Sequence, residues 1–152
     1  MKVYLAGNVK NKSYREYTLK NYSNKLNLFD PLREIDEKAI PINFDWEDYH
    51  NNKIELPDHC VHKLVSSDKI AITKCDILVA YIENYSAGTI MEIKHAYDHR
   101  VPVFIIDPTK RFRKDIWLRF HTIKFMDSID ECFKYILKLK ENDMRFKNVL
   151  YG

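Results

Sequence analysis

Glu92 closes the run Ser86-Ala-Gly-Thr-Ile-Met-Glu92, a small-residue turn between an apolar stretch and a helix-forming one. A carboxylate placed there can attack an electrophilic sugar carbon and form a covalent glycosyl intermediate. The start of a helix offers unpaired amides and partial positive charge, which suit a phosphate and would hold Glu92 ionised. Ser86, Gly88 and Thr89 are therefore candidate phosphate contacts. The same residues spell a capping box, Thr89-Ile-Met-Glu92, in which Thr89 caps the helix and Glu92 returns to the cap amide. The residues themselves leave both readings open.

Two further places carry chemistry. Tyr4-Leu-Ala-Gly7-Asn8 ends a short apolar run in a glycine turn, where a ligand can approach the backbone closely. Arg15 follows on the next helical segment, within reach of a phosphate. Asp68 lies in a helical pattern, in line with Val61, Leu64, Val65 and Ile72 on its apolar face. A carboxylate on such a face needs a partner or a cleft. Two carboxylates in different surroundings can divide the nucleophile and acid roles.

Cofactor and metal chemistry are not expected. The Gly7 turn lacks the second and third glycines of a dinucleotide fingerprint. Glu92, His95 and His99 share a helix face, but no matching ligands stand on another helix. His59-Cys-Val-His62 has no partner pair at zinc-ligand spacing.

The elements that must position these residues alternate. Strands are expected at Val3–Ala6, Leu26–Phe29, Asp76–Ile82, Val101–Ile106 and Thr122–Met126. Helices are expected over Ser13–Lys25, Val61–Thr73, Thr89–His99 and Ile129–Leu139. Residues 33–59 show no clean period and read as a long excursion holding a short helix, a kind of segment that often binds ligands. Residues 107–120 read as a charged loop, with room for a short helix. This alternation predicts an α/β, doubly wound, flavodoxin- or Rossmann-like five-stranded parallel sheet with helices on both faces. Ligands of such sheets bind beyond the carboxyl ends of the strands, which brings Gly7, Asn8 and the Ser86–Glu92 run to one edge.

Composition narrows the class. The chain has 152 residues, enough for one domain with a good core, expected to span 1–152. With 45% apolar and 31% charged residues it reads as globular, and no apolar run approaches a membrane-spanning length. The amino terminus enters a strand directly and shows no signal-peptide pattern. Three widely spaced cysteines suggest reduced thiols and a cytoplasmic setting. A net charge of +3 does not argue for binding a nucleic-acid polymer.

Taken together, these blocks resemble the nucleoside 2-deoxyribosyltransferase family, including its nucleotide N-hydrolase branch. The resemblance is sharp at Tyr4-Leu-Ala-Gly7, at Ser67-Asp68 followed by Asp76, and at Ser86–Glu92 continuing into Ala96-Tyr97. It implies that Glu92 attacks the anomeric carbon, that Asp68 assists the leaving base, and that Tyr4 positions the glutamate. It also implies that Ser86 marks the branch that hydrolyses nucleoside 5′-monophosphates, since the transferases carry aspartate there. Arg15 resembles an arginine of that branch that meets phosphate. The resemblance further implies that the 33–59 excursion lines the base pocket, with Asp45 and Trp46 as base contacts. It implies a homodimer or higher homo-oligomer, with His121 and Thr122 about where a neighbour would complete the site. Lys94 departs from the family, which carries glycine there.

The expected activity is hydrolysis of the N-glycosidic bond of a (deoxy)nucleoside 5′-monophosphate, with a small-molecule nucleotide as the partner. Base exchange between free deoxynucleosides, and non-catalytic nucleotide sequestration, are the alternatives.

Overall fold

The computed structural model describes residues 1–142; residues 143–152, the end of the expected 1–152 domain, lie outside the described residues. In chain order the elements are β1 (Lys2–Gly7), α1 (Lys12–Tyr22), β2 (Asn27–Phe29), a π-helical turn (Leu32–Asp36), α2 (Glu37–Ala39) and α3 (Trp46–His50). They continue with α4 (Asp58–Thr73), β3 (Ile77–Tyr81), α5 (Ala87–Asp98), β4 (Val103–Ile106), α6 (Ile116–His121), β5 (Lys124–Met126) and α7 (Ile129–Glu141). The five strands form one all-parallel sheet in the order β2-β1-β3-β4-β5, as the alternation predicts.

Both faces of the sheet are covered, so the central strands read as continuous apolar runs. Tyr4 and Ala6 of β1, Leu78 and Ala80 of β3, and Val103 and Ile105 of β4 point to one face. There they pack with Ala71 and Ile72 of α4 and Ile93 and Ala96 of α5. Val3, Leu5, Ile77, Val79, Phe104 and Ile106 point to the other face, against Tyr14 and Tyr22 of α1 and Phe133 and Ile136 of α7. Each large aliphatic side chain buried in this way stabilises the fold by about 1.5–3 kcal/mol. Asp130 ties the second layer together by accepting from the hydroxyls of Tyr17 and Tyr22.

The structure corrects the expected outline in two places. The 33–59 excursion is not one short helix in a loop but a π-helical turn and two short helices. Helix α4 is rotated from its expected setting. Its covered stripe is Cys60, Leu64, Asp68, Ala71 and Ile72, while Val61 and Val65 are exposed. The period was right, but these valines lie one residue, or about 100°, round the helix from the stripe.

Strands β1 and β3 are neighbours in the sheet but not in the chain. From this junction β1 leads out to β2 on one side and β3 to β4 on the other. Loops leaving the carboxyl ends of β1 and β3 therefore part from each other and leave a crevice.

Candidate active site

A cavity of about 620 Å³ occupies that crevice. Its walls are the β1–α1 loop (Gly7, Asn8, Val9, Lys10), the exit of β2 (Pro31, Leu32), and the turn into α5 (Tyr85–Thr89), with Trp46 and His50 on the excursion side. Asp68 and Glu92 also line it.

The Tyr4 hydroxyl donates to Glu92 Oε1 at 2.8 Å. Tyr4 is fully buried in β1, and its ring stacks on Phe29 of β2 at 5.7 Å between centroids. Burial pushes its phenol pKa well above the ordinary value, and the Glu92 and Asp68 carboxylates add to the rise. Asp68 acts on the same phenol, so one hydroxyl lies under the influence of two carboxyl groups. The three residues arrive from β1, α4 and α5, separated by 64 and 24 positions, and the sheet face brings them together.

The capping-box reading does not hold. Helix α5 starts at Ala87 with Ser86 as its N-cap, and Ser86 makes no side-chain cap bond. Thr89 is thus the third helical residue, and Glu92 stands in the second turn, where it accepts from Tyr4. The positive end of the helix acts on whatever lies at Ser86–Thr89 more than on Glu92, because its field falls off within the first turn. Thr89 is 3% exposed, and its Oγ1 has no hydrogen-bond partner among the described residues, although it lines the cavity. A buried hydroxyl in that state is ordinarily satisfied by a ligand or water.

The other expected contacts divide. Gly7, Asn8, Trp46, Ser86 and Gly88 line the cavity. Trp46 stacks with His50 at 6.0 Å between ring centroids, and both line the cavity. Asp45 is exposed and does not line the cavity; it caps α3, accepting from the Asp48 amide at 2.9 Å. Arg15 borders the cavity, but its guanidinium is engaged with Asp30 and with the carbonyls of Gly7, Asn8 and Asn11. Asp76 lies at the opposite end of the sheet, where it accepts from the Lys2 amide. His121 is buried beside Tyr97 and donates from Nδ1 to the Trp117 carbonyl; neither it nor Thr122 lines the cavity.

Lys10 was not singled out in the sequence. It lines the cavity, is exposed, and its ammonium makes no ion pair or hydrogen bond among the described residues. Its position two residues beyond Asn8, on the loop leaving a central strand, was the available signal. Among the described residues no cluster of three or more His, Cys, Asp or Glu forms that could hold a metal.

No family model matches this sequence, and no curated protein matches it. Solved structures do match in fold. A 2-deoxyribosyltransferase from Bacillus psychrosaccharolyticus aligns with a TM-score of 0.64 at 18% identity, covering 87% of this chain and 90% of that one. A conserved protein from Enterococcus faecalis V583 gives 0.60 at 16%, covering 92% and 98%. The CMP N-glycosidase BcmB from Clostridium botulinum gives 0.51 at 17%, covering 90% and 98%. The fold is thus shared with proteins of the kind the sequence resembles, over nearly the whole of both chains.

Proposed function

We propose that the protein cleaves the N-glycosidic bond of a (deoxy)nucleoside 5′-monophosphate, releasing free base and (deoxy)ribose 5-phosphate. The observation that carries this reading is the Tyr4–Glu92 hydrogen bond in a cavity that also holds Asp68 and the start of α5. A carboxylate oriented by a phenol can attack C1′. The C1′–N bond breaks as the C1′–O bond to Glu92 forms, and the departing base takes the bonding pair. Asp68, in its protonated form, supplies the proton that neutralises the base. Water then attacks C1′ and loses its proton to a carboxylate, which frees Glu92. Thr89 Oγ1, Ser86, the amides around Gly88 and the Lys10 ammonium supply donors and charge for the 5′-phosphate. Gly7 and Asn8 form the opposite wall, and Trp46 offers a face for the base.

Incubating the protein with nucleoside and deoxynucleoside 5′-monophosphates and measuring free base tests this reading. Release at the wild-type rate in Glu92→Ala would remove Glu92 as nucleophile.

Base exchange is a second reading, supported by the fold likeness to a deoxyribosyltransferase. It differs only in what takes the glycosyl group from Glu92. Adding a second free base to the assay and looking for its nucleoside separates the two.

A second copy of the chain is the proposed partner. Met91 of α5 and Ile116, Trp117 and Phe120 of α6 are each at least 66% exposed, and Met91 and Trp117 line an apolar hollow of about 330 Å³. Tyr85 borders both that hollow and the main cavity, so a subunit seated there would reach the site. The buried, unpaired state of Cys60, Cys75 and Cys132 supports a reducing, cytoplasmic setting.

A further inference from the structure

Arg15 and Asp30 form an ion pair that is almost sealed from solvent, at 3% and 5% exposure. Arg15 Nε lies 3.2 Å from Asp30 Oδ1. Arg15 Nη2 donates to the Gly7 carbonyl at 2.9 Å, and Nη1 donates to the Asn8 carbonyl at 3.1 Å. On the other side, Asp30 Oδ1 accepts from the Leu32 amide at 3.1 Å. The Asp30 carbonyl accepts from the amides of Arg33 and Glu34, which starts the π-helical turn. One pair therefore fastens two cavity walls that belong to different strands: the Gly7–Lys10 loop after β1 and the Pro31–Leu32 exit of β2.

We propose that Arg15 and Asp30 are a positioning pair for the proposed glycosidase site, setting the gap between these walls, and that Arg15 is not a phosphate ligand. The inference rests on the glycosidase reading above. To meet a phosphate, Arg15 would have to leave the Gly7 and Asn8 carbonyls without their donor and the buried Asp30 carboxylate without its counter-charge. The Lys10 ammonium stands on the same loop without such ties among the described residues. The planar fork matters as well as the charge, since a lysine ammonium cannot reach the Asp30 carboxylate and two diverging carbonyls at once.

The test compares each 5′-monophosphate with its unphosphorylated nucleoside as substrate. Arg15→Lys and Asp30→Asn are expected to lower kcat/KM by about tenfold on both, leaving the ratio between them within about twofold. Lys10→Met is expected to lower the monophosphate alone. Arg15→Met/Asp30→Leu replaces the pair by apolar groups and guards against loss of fold, as such exchanges are often neutral for stability. Its expected outcome is a folded protein with the same paired loss. Hydrogen exchange supplies a readout independent of turnover: in Arg15→Lys and Asp30→Asn, amides of 8–10 and 32–34 should exchange faster together. Wild-type rates in Arg15→Lys, a loss confined to the monophosphate in Arg15 variants, or faster exchange in one wall only would overturn the proposal. A wild-type protein that releases no base from any substrate would instead sink the glycosidase reading, and the exchange result would still decide whether the pair fastens both walls.

Discussion

Tyr4 reaches Glu92 across 88 residues of sequence and 2.8 Å of space, from a fully buried strand position to a half-buried helix position. Tyr4→Phe removes the hydroxyl donor while keeping the ring packed on Phe29. Hydrogen bonds to charged groups contribute about 1.5–3 kcal/mol, so kcat should fall about 10- to 100-fold. Steady-state kinetics with a cleaved monophosphate checks this, and an unchanged kcat would remove the role.

Thr89→Val should act in opposite directions on the empty and the loaded protein. The substitution is close in shape and removes a buried hydroxyl whose oxygen is unpartnered among the described residues, so the empty protein should be as stable or up to about 1 kcal/mol more stable. KM for a monophosphate should rise about tenfold, the equivalent of about 1.4 kcal/mol. Thermal melts with and without nucleotide, set beside KM, read both effects.

The two cavity glycines should part company. A Cβ on Gly7, at φ +157°, would meet Tyr14 Cε1 at 3.1 Å and the Tyr81 carbonyl at 3.2 Å. Gly7→Ala should therefore destabilise by about 1–3 kcal/mol. A Cβ on Gly88 meets nothing within 4 Å and lies in a helix, so Gly88→Ala should stabilise by about 0.5–1 kcal/mol. If Gly88 serves the approach of a phosphate, the same substitution should raise KM. Denaturant melts and kinetics on the two variants check the contrast.

Alkaline pH should weaken the fold from about pH 9 upward. Burial raises the Cys75 thiol from 9.0 to about 11. Burial and a hydrogen bond to Glu83 raise the Tyr81 phenol from 10.0 to about 12. The unfolded chain loses these protons first, so stability is full below the unfolded values and declines as pH passes up through the folded ones. Cys75→Ala should make the decline above about pH 9 shallower without moving its onset, because burial raises the Cys132 thiol as well. Thermal midpoints between pH 7 and 11 measure the change.

Much of this was legible in the residues. Runs such as Ile77–Tyr81 and Val103–Ile106 can only be strands buried on both faces, and their alternation with helices dictates a parallel sheet. The crevice then follows from topology, which is why Gly7, Asn8 and the Ser86–Glu92 run could be placed at one edge. The misreadings have local causes. Thr89-x-x-Glu92 has the letters of a capping box, but Ser86 is already extended and α5 has begun at Ala87. Asp45 read as a base contact because the resemblance implies that the 33–59 excursion lines the base pocket, yet an aspartate before a short helix is a natural N-cap. The burial of Arg15 had no signal in its own polar helix, because its partner Asp30 lies beyond the end of a different strand. Such long-range pairings leave no periodic trace.

The β1–β3 pairing has a bearing on how the molecule comes into being. Tyr4 lies opposite Leu78, and every residue from Val3 to Gly7 waits for a partner more than 70 positions later. A chain emerging from the ribosome cannot close its central strand pair until Tyr81 is out, and Glu92, the proposed nucleophile, follows eleven residues after that. Contacts of such separation slow folding. Because side chains alternate across a strand, a slip of one residue would turn the Tyr4 hydroxyl to the far face and leave Leu5 beneath Glu92. Regain of catalysis after denaturation is thus a register assay, reporting the correct alignment of the sheet more strictly than compactness or helix content does.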